Sequence, residues 1–243
     1  MAQTIFQHWF VDFEFPDEEG NPYKSSGGEM VESELGLIPK GWEVGTISDM
    51  GKVIGGATPL KKNECFYSKN DIPWITPKDL SQNKNRYISH GSVDISEEGF
   101  NHSSIKMLPE GSILFTSRAP IGYIAIAKNK VTTNQGFKSI VPDIKQGFGS
   151  EFIYCWLKDN LRAIVNRASG STFKEISGSE MKQIKAIVPD MRVLTSFRIK
   201  VFNFFRVIEV KETENAVLEN IRDTLLPKLM SGEIRVPTEK TVG

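Results

Sequence analysis

The sequence predicts an α+β protein in which one mixed, strand-rich domain is followed by a long, coiled-coil-forming α-helix. Three observations carry this. Short apolar runs separated by Gly, Pro and Asn turns fill residues 41–190, the signature of strands. Within that stretch, Glu151 to Asn166 places Phe152, Ile153, Trp156, Leu157, Leu161, Ile164 and Val165 at helical spacing, which predicts one helix packed on a sheet. From Phe197 onward, Phe197, Val201, Phe204, Ile208, Lys211, Asn215, Leu218, Arg222, Leu225 and Leu229 step alternately by four and three, a heptad seam.

The elements follow in order. Residues 1–40 read as the end of a helix, with Ile5, Phe6, Trp9 and Phe10 on one face, and then an acidic, Gly- and Pro-rich linker or strap. Residues 41–190 form the strand-rich domain. The runs Ile72 to Ile75, Ser112 to Phe115, Tyr123 to Ala127 and Phe137 to Val141 are its strands, and Trp74, Phe115, Tyr123, Phe137 and Phe152 are expected in its core. Residues 191–243 hold the spacer helix and a C-terminal tail. A helix from Phe197 to Ser231 has about 35 residues and a length on the order of 50 Å. Gly232 is placed to stop it, Pro227 to kink its last turns, and the polar seam members Lys211, Asn215 and Arg222 to set register and orientation. The tail Ile221 to Met230 also echoes Met1 to Phe10, with Thr4 on Thr224, as if the chain spanned one period of a larger repeat.

Composition narrows the function. With 39% hydrophobic and 25% charged residues, the chain has neither the low hydrophobicity nor the net charge of a disordered protein. No apolar run is long enough to span a membrane and no signal-peptide pattern opens the chain, so a cytoplasmic location is expected. Cys65 and Cys155 lack CxxC partners, which argues against a zinc site or a disulfide framework. The overall charge of zero conceals an asymmetry: −8 over residues 1–49, +6 over 50–190 and +2 over 191–243. Between residues 102 and 142, Lys106, Arg118, Lys128, Lys130 and Lys138 face a single acid, Glu110, a pattern suited to phosphate.

Motifs for catalysis are missing. No GxxxxGK[ST] or GxGxxG is present, and His8, His90 and His102 are scattered without spaced partners. Asn21-Pro22-Tyr23 matches only part of an adenine methyltransferase loop. Pro189-Asp190 with Glu209-Val210-Lys211 matches the loose PD…ExK nuclease pattern, but Lys211 falls on the helical seam. Neither an enzyme nor a cofactor or metal requirement is expected.

Several segments in fixed order carry a resemblance. They are Ile38 to Glu43, Gly55-Gly56-Ala57-Thr58-Pro59, Ile72 to Leu80, Ser117-Arg118-Ala119-Pro120-Ile121-Gly122-Tyr123, Thr133 to Ile140, Ala168 to Phe173 and Leu225 to Ile234. The sequence resembles the specificity subunit of Type I restriction-modification systems, specifically its C-terminal half or a half-subunit with one target-recognition domain. The Asp190 to Leu194 entry to the helix lacks the Glu-Gln pair of many relatives.

That resemblance implies a non-catalytic reader of double-stranded DNA. It would read one half of a bipartite target and position methyltransferase and restriction/translocase subunits. The candidate DNA-binding residues are Lys61, Lys62, Lys78, Gln82, Asn83, Arg86, Arg118, Gln135, Lys138, Thr172 and Lys174, with Lys84, Asn85, Lys128, Lys130 and Asn134 as further contacts. The dimerisation helix would use Phe197, Val201, Phe204, Ile208, Asn215, Leu218, Leu225 and Leu229 in an antiparallel homodimer or a pair with another half-subunit. The competing readings are a coiled-coil adaptor without DNA binding and a PD…ExK endonuclease.

Overall fold

The apolar runs become strands because their aliphatic and β-branched side chains suit a pleated, half-buried surface. In the computed structural model, residues 1–170 and 174–235 are described, and the chain divides into two units, Met1–Phe205 and Arg206–Gly243. The first unit begins with α1 (Ala2–Phe10), β1 (Met30–Ser33), β2 (Gly36–Pro39), β3 (Glu43–Thr46), α2 (Ile47–Met50) and β4 (Gly51–Gly55). It continues with β5 (Tyr67–Ser68), β6 (Ile72–Ile75), α3 (Pro77–Gln82), β7 (Tyr87–Ile88), β8 (Val93–Ile95) and α4 (Glu97–Asn101). Next come β9 (Ile113–Ser117), β10 (Ile121–Ala127), β11 (Thr132–Thr133), β12 (Lys138–Pro142), α5 (Ser150–Asp159) and α6 (Leu161–Asn166). Last are α7 (Gly178–Lys182), β13 (Lys185–Val188) and the start of α8 (Met191–Met230), whose residues from Arg206 onward belong to the second unit. The α+β class holds.

A five-stranded sheet has the order β4-β12-β9-β10-β7, and a four-stranded sheet the order β11-β6-β8-β5. β13 pairs with β3, and β1 with β2. Most pairs are antiparallel, but β10–β7 and β11–β6 are parallel. All five residues of β9 are buried, as befits the centre of a covered sheet.

One face of the core is aromatic. Phe10 meets Phe152 edge-on at 4.9 Å and Phe197 at 5.0 Å, joining α1, α5 and the first turns of α8. Such pairs contribute about 0.5–1.5 kcal/mol each beyond the area they bury. The acidic segment after α1 is a packed strap, not a free linker. Phe13, Phe15 and Ile38 are buried, Phe15 stacks on Tyr23 at 4.6 Å and on Trp42 at 5.0 Å, and residues 30–39 form a hairpin.

Three further expectations need correction. The single helix over Glu151 to Asn166 is two, because Asn160 leaves helical geometry (φ −92°, ψ 5°) and its side-chain amide donates to Trp156 O at 3.0 Å, competing locally with the backbone. Tyr123 is not core: it lies in β10 where the pairing with β9 shifts register between Ile121 and Ile124, and it is 36% exposed. The long helix begins at Met191, with Asp190 Oδ1 accepting from Arg192 N at 2.7 Å in the manner of an N-cap.

The seam changes with it. Phe197 and Val201 were expected to face another chain, but both are fully buried within the first unit together with Leu194 and Phe205. Phe204 is half-buried against the same core. In the second unit Val207, Val210, Val217, Leu218, Ile221, Leu225 and Leu229 are exposed. At about 100° per residue they share roughly one third of the helix circumference, whereas Lys211, Asn215 and Arg222 lie toward one side of that stripe. Gly232 ends the helix at φ +76°, the left-handed geometry of a C′ glycine.

Candidate nucleic-acid interface

The segments that carried the resemblance are far apart in sequence, and the fold brings several of them together. After β4, Gly56 packs so tightly that a Cβ there would overlap the carbonyl oxygens of Thr133 and Asn134. Ala57 N donates to Thr133 O at 3.0 Å, and the Thr58 hydroxyl donates to Gln135 Oε1. The Trp74 indole donates to Ala57 O at 3.1 Å, which adds β6 to the group.

The next segment is fixed by a capping box at the start of α3. Asp79 Oδ2 accepts from Thr76 N at 2.8 Å, while Thr76 Oγ1 accepts from Asp79 N at 3.4 Å. The other Asp79 oxygen accepts from Ser92 N at 2.9 Å, pinning the loop before β8. Burial of Asp79 favours its neutral form, but the hydrogen bonds from Thr76 and Ser92 outweigh it and hold the carboxyl below the ordinary carboxylate range. Gly136 sits opposite this helix start, where a Cβ would come within 2.8 Å of Pro77 Cγ. Gly136 O accepts from Ser117 N at 2.8 Å, so the end of β9 joins the same group.

Those residues end in a group of charges. Arg118 Nη1 lies 3.3 Å from Glu175 Oε2, and Lys138 Nζ lies 3.3 Å from Glu175 Oε1. Lys138 Nζ also lies 3.4 Å from the Ser117 hydroxyl. Backbone bridges place Glu175 against both Arg118 and Ser169. Its positive environment, fixed backbone and partial exposure suit the binding of an anion that arrives from solvent.

A family model described as Type I restriction modification DNA specificity domain matches residues 39–220 of this chain. The chain belongs to that family. It is 42% identical over 195 residues to the Type I restriction enzyme MjaIX specificity subunit of Methanocaldococcus jannaschii, covering 79% of this chain and 44% of that protein. It is 34% identical over 214 residues to the HindI specificity subunit of Haemophilus influenzae, covering 85% of this chain and 46% of that one. The chain thus spans a little under half the length of these specificity subunits. Among solved structures, the HsdS subunit from Thermoanaerobacter tengcongensis aligns with a TM-score of 0.56 at 14% identity, over 96% of this chain and 50% of that one. That likeness shows a shared fold.

Within this family member, the residues singled out from sequence fall into distinct settings. Arg118, Gln135 and Lys138 lie in the assembled group described above. Lys61 and Lys62 are exposed in the turn beyond Thr58, Lys78 is exposed in the first turn of α3, and Lys174 is exposed beside Glu175. Gln82 is exposed at the end of α3, and Lys84, Asn85 and Lys130 are exposed while Lys128 is half-buried. Asn83 shapes its own turn, its amide donating to Asn85 O at 3.0 Å and Tyr87 O at 3.3 Å. Arg86 stands apart: its guanidinium lies 4.3 Å from the Phe205 ring and 5.0 Å from the Tyr154 ring, a cation–π setting against α5 and α8. Asn134 turns inward, its Oδ1 accepting from Gly136 N at 2.8 Å. Thr172 lies outside the described residues.

Two members of the group escaped sequence reading. Glu175 lies two residues beyond the Ala168 to Phe173 segment, next to Lys174, but an acid carries no signal where cations are sought. Thr58 lay inside a glycine-rich turn, and its polar partner at Gln135 is 77 residues away. Among the described residues no group of three or more His, Cys, Asp or Glu side chains is arranged to hold a metal ion. Asp190, from the nuclease-like pattern, is engaged in capping α8, and Lys211 pairs with Glu214 at 2.7 Å. Among the described residues no helix is long and apolar enough to cross a membrane.

Proposed function

We propose that this chain is a non-catalytic cytoplasmic reader of double-stranded DNA that recognises one half of a bipartite target and positions methyltransferase and restriction subunits on it. Family membership supports DNA recognition as the general task. The observation that carries the reading is the convergence of Gly55–Pro59, Thr76–Leu80, Thr133–Lys138 and Ser117–Gly122 around partly exposed cations. These segments hold one another through backbone contacts beside Arg118 and Lys138, and affinity for duplex DNA comes first from cations set against phosphate. Base preference then belongs to exposed polar residues such as Gln82, while the Lys61–Lys62 turn adds phosphate contacts that act on all sequences alike.

The exposed stripe of the second unit completes the proposal. Val207, Val210, Val217, Leu218, Ile221, Leu225 and Leu229 form an apolar seam, and its partner is the same stripe of a second copy running antiparallel. Two-fold symmetry of that pair would make the target an inverted repeat with an unread spacer. The discriminating experiment is fluorescence anisotropy with a random-sequence duplex over a salt series. A reader binds at low salt and loses affinity steeply as salt rises, whereas an adaptor of coiled-coil type binds at neither. A magnesium-dependent cut in plasmid DNA would favour the nuclease reading instead.

A further inference from the structure

We propose that the Glu175 carboxylate is a placeholder for a DNA phosphate: in the unbound protein it holds Arg118 and Lys138 side by side, and it yields both when duplex binds. This rests on the DNA-reading function above and assigns Glu175 as a positioning residue for it.

The geometry leads there in steps. Arg118 leaves the end of β9 and Lys138 opens β12, strands that neighbour each other in the five-stranded sheet. Two cations brought together on adjacent strands repel, and something of opposite charge must lie between them. Glu175 does so with one oxygen for each cation, the division that the two unesterified oxygens of a backbone phosphate would reproduce.

Both contacts are 3.3 Å long, beyond the usual length of about 2.7–2.9 Å for a charge-assisted hydrogen bond. The Glu175 and Arg118 side chains are each 36% exposed and Lys138 is 15% exposed, so an incoming anion reaches them from solvent. Lys174, next along the chain, is exposed. A carboxylate kept here holds the cations in position and lowers affinity for every duplex, because phosphate must displace it first. Phosphate contacts carry no base information, so the effect is uniform over sequence.

The test is anisotropy with a random-sequence duplex for wild type, Glu175→Gln, Arg118→Ala/Lys138→Ala, and the triple variant, each over a salt series. Glu175→Gln should bind about 3–10-fold tighter at low salt, and the gain should shrink as salt rises because the removed charge is screened. The gain should vanish in the Arg118→Ala/Lys138→Ala background. Unchanged or weaker binding by a folded Glu175→Gln overturns the proposal, as does a gain that persists without Arg118 and Lys138, which would mark a general charge effect. If Glu175→Gln does not fold, the single Arg118→Ala and Lys138→Ala variants decide: each should weaken binding, and wild-type affinity in both overturns the proposal. Wild-type protein that fails to bind duplex at any salt overturns the DNA reading itself, a result distinct from the others.

Discussion

The first fifteen residues of α8 and the twenty-five that follow are built from similar side chains and treat them in opposite ways. In 191–205, Leu194, Phe197, Val201 and Phe205 are buried in the chain's own core, while in 206–230 Val217, Leu218, Ile221 and Leu225 stand in solvent. One heptad-like repeat therefore serves two purposes. Where α1 and α5 supply a covering surface, the apolar face is completed within the chain. Where it is uncovered, the exposed row has the composition of a helix that packs on a second helix.

This contrast predicts different consequences for equivalent substitutions. Phe197→Ala should cost about 3–5 kcal/mol of folding free energy, the usual loss for a large buried aromatic, read by urea denaturation; a loss below about 1 kcal/mol would show that the first stretch is not core. Leu218→Asp with Leu225→Asp should leave the melting temperature nearly unchanged while raising the self-association constant (as Kd) at least tenfold, or about 1.4 kcal/mol. Sedimentation velocity measures it, and unaltered association would remove the stripe from the interface. Arg86→Ala, which removes the guanidinium from Phe205 and Tyr154, should destabilise by about 1–2 kcal/mol, and a double-mutant cycle with Phe205→Leu should recover part of that as coupling.

Asp79 gives the smallest and most specific effect. Its folded pKa is held below its ordinary value of 3.8. The sign follows from linkage: the stabilisation is fully present above the unfolded pKa and is lost as pH falls through the folded one. Wild-type protein should lose stability from this site as pH drops below about 4, and Asp79→Asn should flatten that part of the profile. Urea midpoints across pH would reveal it, and parallel profiles for the two proteins would contradict it.

How far these features could be read from sequence depended on range. The strands at Ile72 to Ile75 and Ile113 to Ser117 follow from local apolar runs, and α1 from four spaced side chains. The break at Asn160 did not, because an asparagine whose amide turns back onto a carbonyl looks the same as one facing solvent. The acids and glycines of residues 12–40 leave linker and strap equally open in the sequence, whereas Phe13 and Phe15 fix the segment to the core. Within the candidate site, Arg118 and Lys138 were legible as cations in a basic stretch. Their common partner was not, since pairing across 57 and 37 residues is decided by strand order. The same non-local order explains why Arg86, a candidate DNA-binding residue in the sequence, lies over two rings.

The central claim is that distant segments assemble one DNA-facing surface, and lysine-modification footprinting with and without a duplex at low salt tests it most directly. The account predicts protection of Lys61, Lys62, Lys78 and Lys174 on binding, with Lys40 and Lys185, ion-paired on other sheets, modified equally in both states. Binding that protects Lys40 and Lys185 and leaves the other four reactive would contradict it.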